Sequence, residues 1–157
     1  MSMRMPELDA EILGRRDRIV AALRSIVPGE GVIAAEREMR AYETDGLTAY
    51  RQLPMVVVLP ETTQQVAEVL RYCHDEGIKV VPRGAGTSLS GGALPLGDGV
   101  LLGMAKFNRI REIDFANRVA VVEPGVTNLA ITDAVAHAGF YYAPDPSSQI
   151  ACTIGGN

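Results

Sequence analysis

Tryptophan is absent from the 157 residues, and Phe and Tyr together supply only 5% of them. That excludes an aromatic stacking platform for single-stranded nucleic acid. No surplus of positive charge takes its place. Lys and Arg number 15 against 19 acids, a formal net charge of −4, so the electrostatic footprint of a nucleic-acid or anionic-membrane binder is missing too. The two cysteines, Cys73 and Cys152, lie far apart and outside any C-x-x-C unit. Neither a metal knuckle nor a disulfide framework follows from them, and a reducing cytoplasm is the expected compartment. No apolar run approaches the ~20 residues of a transmembrane helix. Met1 to Ala10 carries two acids, a proline and no apolar stretch, so no secretory signal is expected there.

What is present fits a soluble globular fold: 47% hydrophobic and 22% charged residues. A chain of this length buries roughly two thirds of the surface that its unfolded form exposes. The 16 glycines are unevenly placed, eight of them between Gly77 and Gly103 and two, Gly155 and Gly156, near the last residue. The final stretch, Pro144 to Asn157, holds one charge and many small polar residues, with no closing helix or strand.

Leu8, Ile12, Ile19, Leu23 and Ile26 recur at helical spacing and predict a helix over about 7–27, ended by Pro28 and Gly29. Its run Arg15, Arg16, Asp17, Arg18 reads as a solvated face. A short strand is expected over Val32 to Ala35, and a surface helix or turn over Glu36 to Asp45. Met55 to Leu59 is an uninterrupted apolar run, the pattern of a strand buried on both faces. Thr62 and Gln65 then have capping-box spacing, and Val66, Val69, Leu70 and Cys73 form one helical stripe. Gly77 is placed as the left-handed cap, and Lys79 to Pro82 as the next strand. Strand, helix and strand in this order predict a right-handed parallel crossover. A further strand follows over Gly99 to Met104, a hairpin turns at Phe115 to Asn117, and Thr127 caps a helix that Gly139 ends. The class is α+β, opening with a parallel unit and moving toward antiparallel pairing.

The loop from Pro82 to Gly92 reads P-R-G-A-G-T-S-L-S-G-G. It leaves the C-terminal end of a strand, where backbone N–H groups converge on an anion and glycine permits close approach. Thr87, Ser88 and Ser90 add hydroxyl donors, and Arg83 is placed to assist. Between Gly84 and Gly103 the only charge is Asp98, so an anion here is held mainly by neutral dipoles. Two familiar phosphate loops do not fit. A Rossmann pattern from Gly84 and Gly86 needs a third glycine where Leu89 stands, and a P-loop from Gly86 and Gly91 needs Lys and Ser or Thr where Gly92 and Ala93 stand. Taken alone, the loop reads equally well as a tight connection between strands. A second, weaker segment runs P-D-P-S-S from Pro144 and C-T-I-G-G-N from Cys152.

In combination, the glycine-rich loop, V-E-P-G-V-T at Val122 to Thr127, P-D-P-S-S and C-T-I-G-G-N resemble the FAD-binding domain of the vanillyl-alcohol oxidase and p-cresol methylhydroxylase superfamily. The likeness covers Tyr42 to Asn157 and is nearest to the branch that holds D-lactate dehydrogenase and the FAD-linked component of glycolate oxidase. It implies that Arg83, Gly84, Ala85, Gly86, Thr87, Ser88 and Gly91 cradle the FAD pyrophosphate. It implies that Pro124 and Gly125 lie near the cofactor, and that Asp145, Ser148, Cys152, Thr153, Gly155, Gly156 and Asn157 run along the flavin and pyrophosphate. Some relatives hold FAD covalently through a His in an R-S-G-G-H loop. Thr87 stands at that position here, which implies non-covalent FAD.

The resemblance further implies an N-terminal helical segment, 1–45, before an incomplete FAD-binding domain, 46–157, with the substrate domain absent. The implied function is the FAD-binding part of a 2-hydroxy acid oxidoreductase acting on glycolate or D-lactate, with companion subunits, in the cytoplasm or peripheral to the inner face of the membrane. The alternative is a binding module that holds FAD and needs a partner chain for turnover. A third reading is a remnant whose incomplete sheet leaves an unpaired edge. No residue is assigned as the catalytic base and no metal site is expected. His74 and His137, the only histidines, fall near predicted helix ends, where a structural role suffices. Cys73 lies on an apolar stripe and is expected to be a buried thiol.

Overall fold

Four strands in the order β1–β2–β4–β3 form the main sheet of the computed structural model, which describes residues 5–157. The expectation for the first residues therefore falls partly outside the described ones. β1 (Val32–Ile33) pairs antiparallel with β2 (Val56–Val58). β2 and β3 (Lys79–Arg83) both pair parallel with β4 (Gly99–Gly103), which lies between them. The crossover helix α4 (Thr63–Asp75) joins β2 to β3. A separate hairpin of β5 (Ile110–Asp114) and β6 (Val119–Val122) is antiparallel, with Arg118 in the turn at φ 56°. The predicted change from parallel to antiparallel pairing is what the chain does.

Val56, Val57 and Val58 are each 0% exposed, because side chains on successive positions point to opposite faces and both faces are covered. Val56 and Val58 join Ile19, Leu23, Val69, Cys73, Val100 and Leu102 in the larger core. Val57 and Leu101 meet Met39 on the other side. Each fully buried aliphatic side chain contributes roughly 1.5–3 kcal/mol by leaving water.

Four local expectations are corrected. The predicted N-terminal helix is two: α1 (Ala10–Gly14), capped by Asp9, and α2 (Arg16–Ile26). The chain breaks at Arg15 (φ −98°, ψ 5°), directly after a weak helix former, Gly14. The Arg15–Arg18 run is only partly a solvated face: Asp17 and Arg18 are exposed, but the arginines are also engaged. Arg15 and Arg18 both reach Glu76, and Arg16 donates to the carbonyls of Met55 and Ala34, tying α2 to the sheet. In α4, Thr62 Oγ1 accepts from the Gln65 amide as expected, but the Gln65 side chain accepts from Glu61, one residue earlier than a capping box requires. Leu70 leaves the buried stripe at 44% exposure, while Val69 and Cys73 stay in it.

Short helices α3 (Glu36–Met39) and, after the hairpin, α5 (Asn128–Val135) complete the elements. Thr127 Oγ1 caps α5, and a 3-10 turn from Ala136 to Ala138 runs on to Gly139 at φ 77°. No helix among the described residues is long and apolar enough to cross a membrane.

Candidate functional site

β3 and β4 end side by side, with Arg83 opposite Gly103 in register. Outside the carboxyl ends of parallel strands the chain opens a crevice where ligands commonly bind. Here that crevice is a pocket of about 470 Å³. Its wall takes Arg83, Gly84, Ala85, Gly86, Thr87 and Ser88 from the glycine-rich loop, Pro124 from the turn after β6, and Ser148, Thr153, Gly155, Gly156 and Asn157 from the C-terminal segment.

A short ladder brings those separate stretches together. Asn128 N–H donates to the Cys152 carbonyl, Ile154 N–H to that of Val126, and Gly155 N–H to that of Pro124. Thr127 and Thr153 form an antiparallel bridge. Gly155 permits this approach, since a Cβ on it would stand 2.5 Å from Pro124 Cβ. Asn128, fully buried, donates to the Pro144 carbonyl and accepts from Asn157 Nδ2.

The glycine-rich loop is held from behind and open in front. Gly86 and Gly91 take φ of +75° and +80°, a region that costs other residues about 1–2 kcal/mol. The N–H groups of Ala85, Gly86, Thr87 and Ser88 donate to no other described residue. Beside them Thr153 Oγ1 is buried without a hydrogen-bond partner. Ala85 is exposed and Gly86, Thr87 and Ser88 are half-buried, so their amides are open to a ligand rich in acceptor oxygens. Only the buried hydroxyl carries the cost of an unpaired donor, about 1–3 kcal/mol. Among the described residues, Arg83 is the only ionisable side chain in the wall. The donors in this wall are of the kind a pyrophosphate needs, mainly neutral N–H and hydroxyl dipoles.

Four expected site residues stand outside this wall. Gly91 donates its N–H to Asp45 Oδ2. Gly125 lines an adjoining groove of about 370 Å³, shared with Gly84, Ala85 and Thr153. A Cβ on Gly125 would stand 2.6 Å from the Phe107 carbonyl. Cys152 is buried behind the ladder and Asp145 is exposed. Ala93 and Met104 are in the wall without having been singled out. Met104 sits there because its N–H donates to the Arg83 carbonyl at the end of the sheet.

Asp45 was also missed. It is 5% exposed and accepts from Leu47 and Gly91, so the Asp45–Gly46 turn packs directly on the loop. A Cβ on Gly46 would stand 2.7 Å from the Thr87 carbonyl. The Asp-Gly dipeptide is a turn signal that could have marked it.

The other charges are structural. Glu123, 3% exposed, accepts from the side chains of Arg109 and Arg111 and the Arg109 amide, and these bonds hold its pKa at about 2. Burial pushes the Asp98 carboxyl up, but bonds from Lys79 and the Asp9 amide outweigh it and leave the pKa below the usual range. His137 packs edge-on against Phe115 and His74 is exposed; neither lines the pocket. Among the described residues no cluster of His, Cys, Asp and Glu could hold a metal.

Residues 54–157 match the family described as the FAD binding domain. The chain is similar to glycolate oxidase subunit GlcD of Escherichia coli (strain K12), 53% identical over 98% of this chain and 30% of the relative. It is similar to the mitochondrial D-2-hydroxyglutarate dehydrogenase of Bos taurus, 35% identical over 88% of this chain and 25% of the relative. Its fold is similar to the crystal structure of p-cresol methylhydroxylase with substrate bound, at a TM-score of 0.69 and 24% identity over 86% of this chain and 27% of that one. The chain spans less than a third of the length of each.

Proposed function

The chain belongs to the FAD-binding-domain family that its residues 54–157 match, and from that premise we propose that it is the FAD-binding part of a flavin-dependent 2-hydroxy acid oxidoreductase of the glycolate or D-lactate type. The carrying observation is the row of loop N–H groups, Ala85 to Ser88, that donate to no other described residue and line the same pocket as Thr153. The amides of Ala85 to Ser88 take the pyrophosphate oxygens, and Thr153 supplies one more donor. Thr87, in place of a linking His, goes with FAD held non-covalently. Pro124, Gly125, Ser148, Gly155, Gly156 and Asn157 shape the walls along the cofactor.

Bound FAD supplies a two-electron acceptor for a hydride. Oxidising a 2-hydroxy acid also needs a base aligned with the alcohol proton. Among the described residues, the pocket wall holds no carboxylate, imidazole or amine side chain. That observation favours the second reading, a module that holds FAD and turns over only with a further domain or partner chain. Companion subunits go with the likeness to a protein named as an oxidase subunit. A cytoplasmic location goes with two free cysteines, the state that a reducing compartment keeps.

Titration with FAD, followed by quenching of flavin fluorescence, tests the proposal against a Gly86→Val, Gly91→Val double variant. Saturable binding that the variant loses supports the cradle; no binding by the parent overturns it. Glycolate and D-lactate oxidation with a dye acceptor separates the two readings, and no turnover by this chain alone is expected.

A further inference from the structure

The loop that presents its amides to the pocket is fastened at the back by Arg83. Arg83 Nη1 donates to the carbonyls of Thr44 (2.8 Å), Ala93 (3.0 Å) and, more weakly, Tyr42 (3.4 Å). Ala93 is at the far end of the loop, so this one nitrogen closes 83–93 into a ring and ties it to a segment 39–41 residues earlier. The opposite edge of the guanidinium lies against Gly86, where an added Cβ would overlap it. The guanidinium carbon stands 5.8 Å from the centre of the Tyr42 ring, within cation–π range. Asp45 completes the tie from the other side by accepting the Gly91 amide. Nη1 stands one atom further from Cα than a lysine Nζ would, and the planar guanidinium behind it fills the space between Gly86 and the Tyr42 ring, so a lysine ammonium reproduces neither the reach nor the packing.

We infer that Arg83 is a positioning residue of the cradle, locking the 84–93 loop onto the Tyr42–Asp45 segment so that its amides are aligned before any cofactor arrives. The inference rests on the FAD reading for its purpose, but its geometry belongs to the chain alone. Pre-alignment matters because ordering a loop during binding is subtracted from affinity.

The test measures amide hydrogen exchange in FAD-free chain, where protection comes from these contacts and not from ligand. Arg83→Lys keeps the charge but ends one atom short of Nη1 and lacks the planar group that packs between Gly86 and Tyr42. Exchange at Leu47, Gly91 and Leu94 is expected to rise together by about tenfold or more, while β2 and β4 amides keep their protection. FAD affinity is expected to fall in parallel, about tenfold. If Arg83→Lys unfolds the chain, Gly86→Ala serves instead: it presses on the guanidinium from the loop side and is expected to speed exchange at Leu47, in the other segment. Unchanged exchange at Leu47 and Gly91 overturns the inference, whether FAD affinity falls (a phosphate contact only) or stays. A parent chain that does not bind FAD overturns the function proposed above, while the exchange result still decides the role of Arg83.

Discussion

Gly84 and Thr153 lie so close that a Cβ on the glycine would overlap the threonine Oγ1. One belongs to the loop after β3 and the other to the segment near the last residue, and their contact joins the two halves of the pocket. The same hydroxyl is buried with no partner. In the free chain it is a cost, and in the function proposed above it is a donor to the cofactor.

Replacing Thr153 by valine therefore separates these effects. Thr153→Val removes an unsatisfied buried hydroxyl and is expected to raise stability of the FAD-free chain by about 1 kcal/mol. FAD affinity should fall about tenfold. Urea midpoints read the first and fluorescence titration the second; a fall in both would show that the hydroxyl serves the fold.

The two left-handed glycines should differ in cost. A Cβ on Gly91 meets nothing within 4 Å, so Gly91→Ala carries only the backbone penalty, about 1–2 kcal/mol. Gly86→Ala adds a collision with Arg83. Denaturation of the two variants should rank Gly86→Ala as clearly less stable, and equal midpoints would contradict the close packing of the guanidinium.

Glu123 makes part of the stability depend on acid pH. Its folded pKa, about 2, lies below the ordinary 4.5, and bonds from Arg109 and Arg111 are the cause. Its contribution is complete above about 4.5 and disappears as pH falls toward 2. Glu123→Gln should flatten the acid limb of the stability profile in that window while lowering stability at neutral pH. An identical slope in variant and parent would assign the acid sensitivity elsewhere.

Cys73 should be inert in the folded chain. Burial pushes its thiol pKa up to about 11, so almost no thiolate exists at pH 8. A thiol reagent should modify it only at the rate of unfolding. Rapid reaction at Cys73 in native buffer, located by peptide mapping, would show that α4 opens locally.

At the centre of the sheet, Leu101 is 1% exposed and packs with Val57 and Met39, away from the pocket wall. Leu101→Ala should cost about 2–5 kcal/mol through lost burial and the cavity left behind. Thermal unfolding checks this.

Features carried by short-range pattern were legible in the residues themselves. The apolar run at Val56–Val58 could only be a strand covered on both faces, Thr62 and Thr127 announced helix starts, and Gly77 and Gly139 their ends. The left-handed turns of the glycine-rich loop were legible because glycine permits φ near +75°, as Gly86 and Gly91 adopt. Where Arg15 to Arg18 point was not legible. Consecutive residues fan around a helix, and Arg15, Arg16 and Arg18 meet Glu76 and the carbonyls of Met55 and Ala34 only once α4 and the sheet are in place, while Asp17 stays exposed.

The sequence alone determined the family and the class of cofactor, since each motif that carries the resemblance is a run of residue types within a few positions, and their order along the chain is itself sequence. Tertiary structure decided the pocket. Asp45 reaches Gly91 across 46 residues, Arg83 reaches Thr44 across 39, and the ladder beside Thr127 draws in Thr153. Such pairings depend on the register of the sheet and the packing of separate segments. No local spacing encodes them, because each contact exists only when the rest of the fold holds its two partners together.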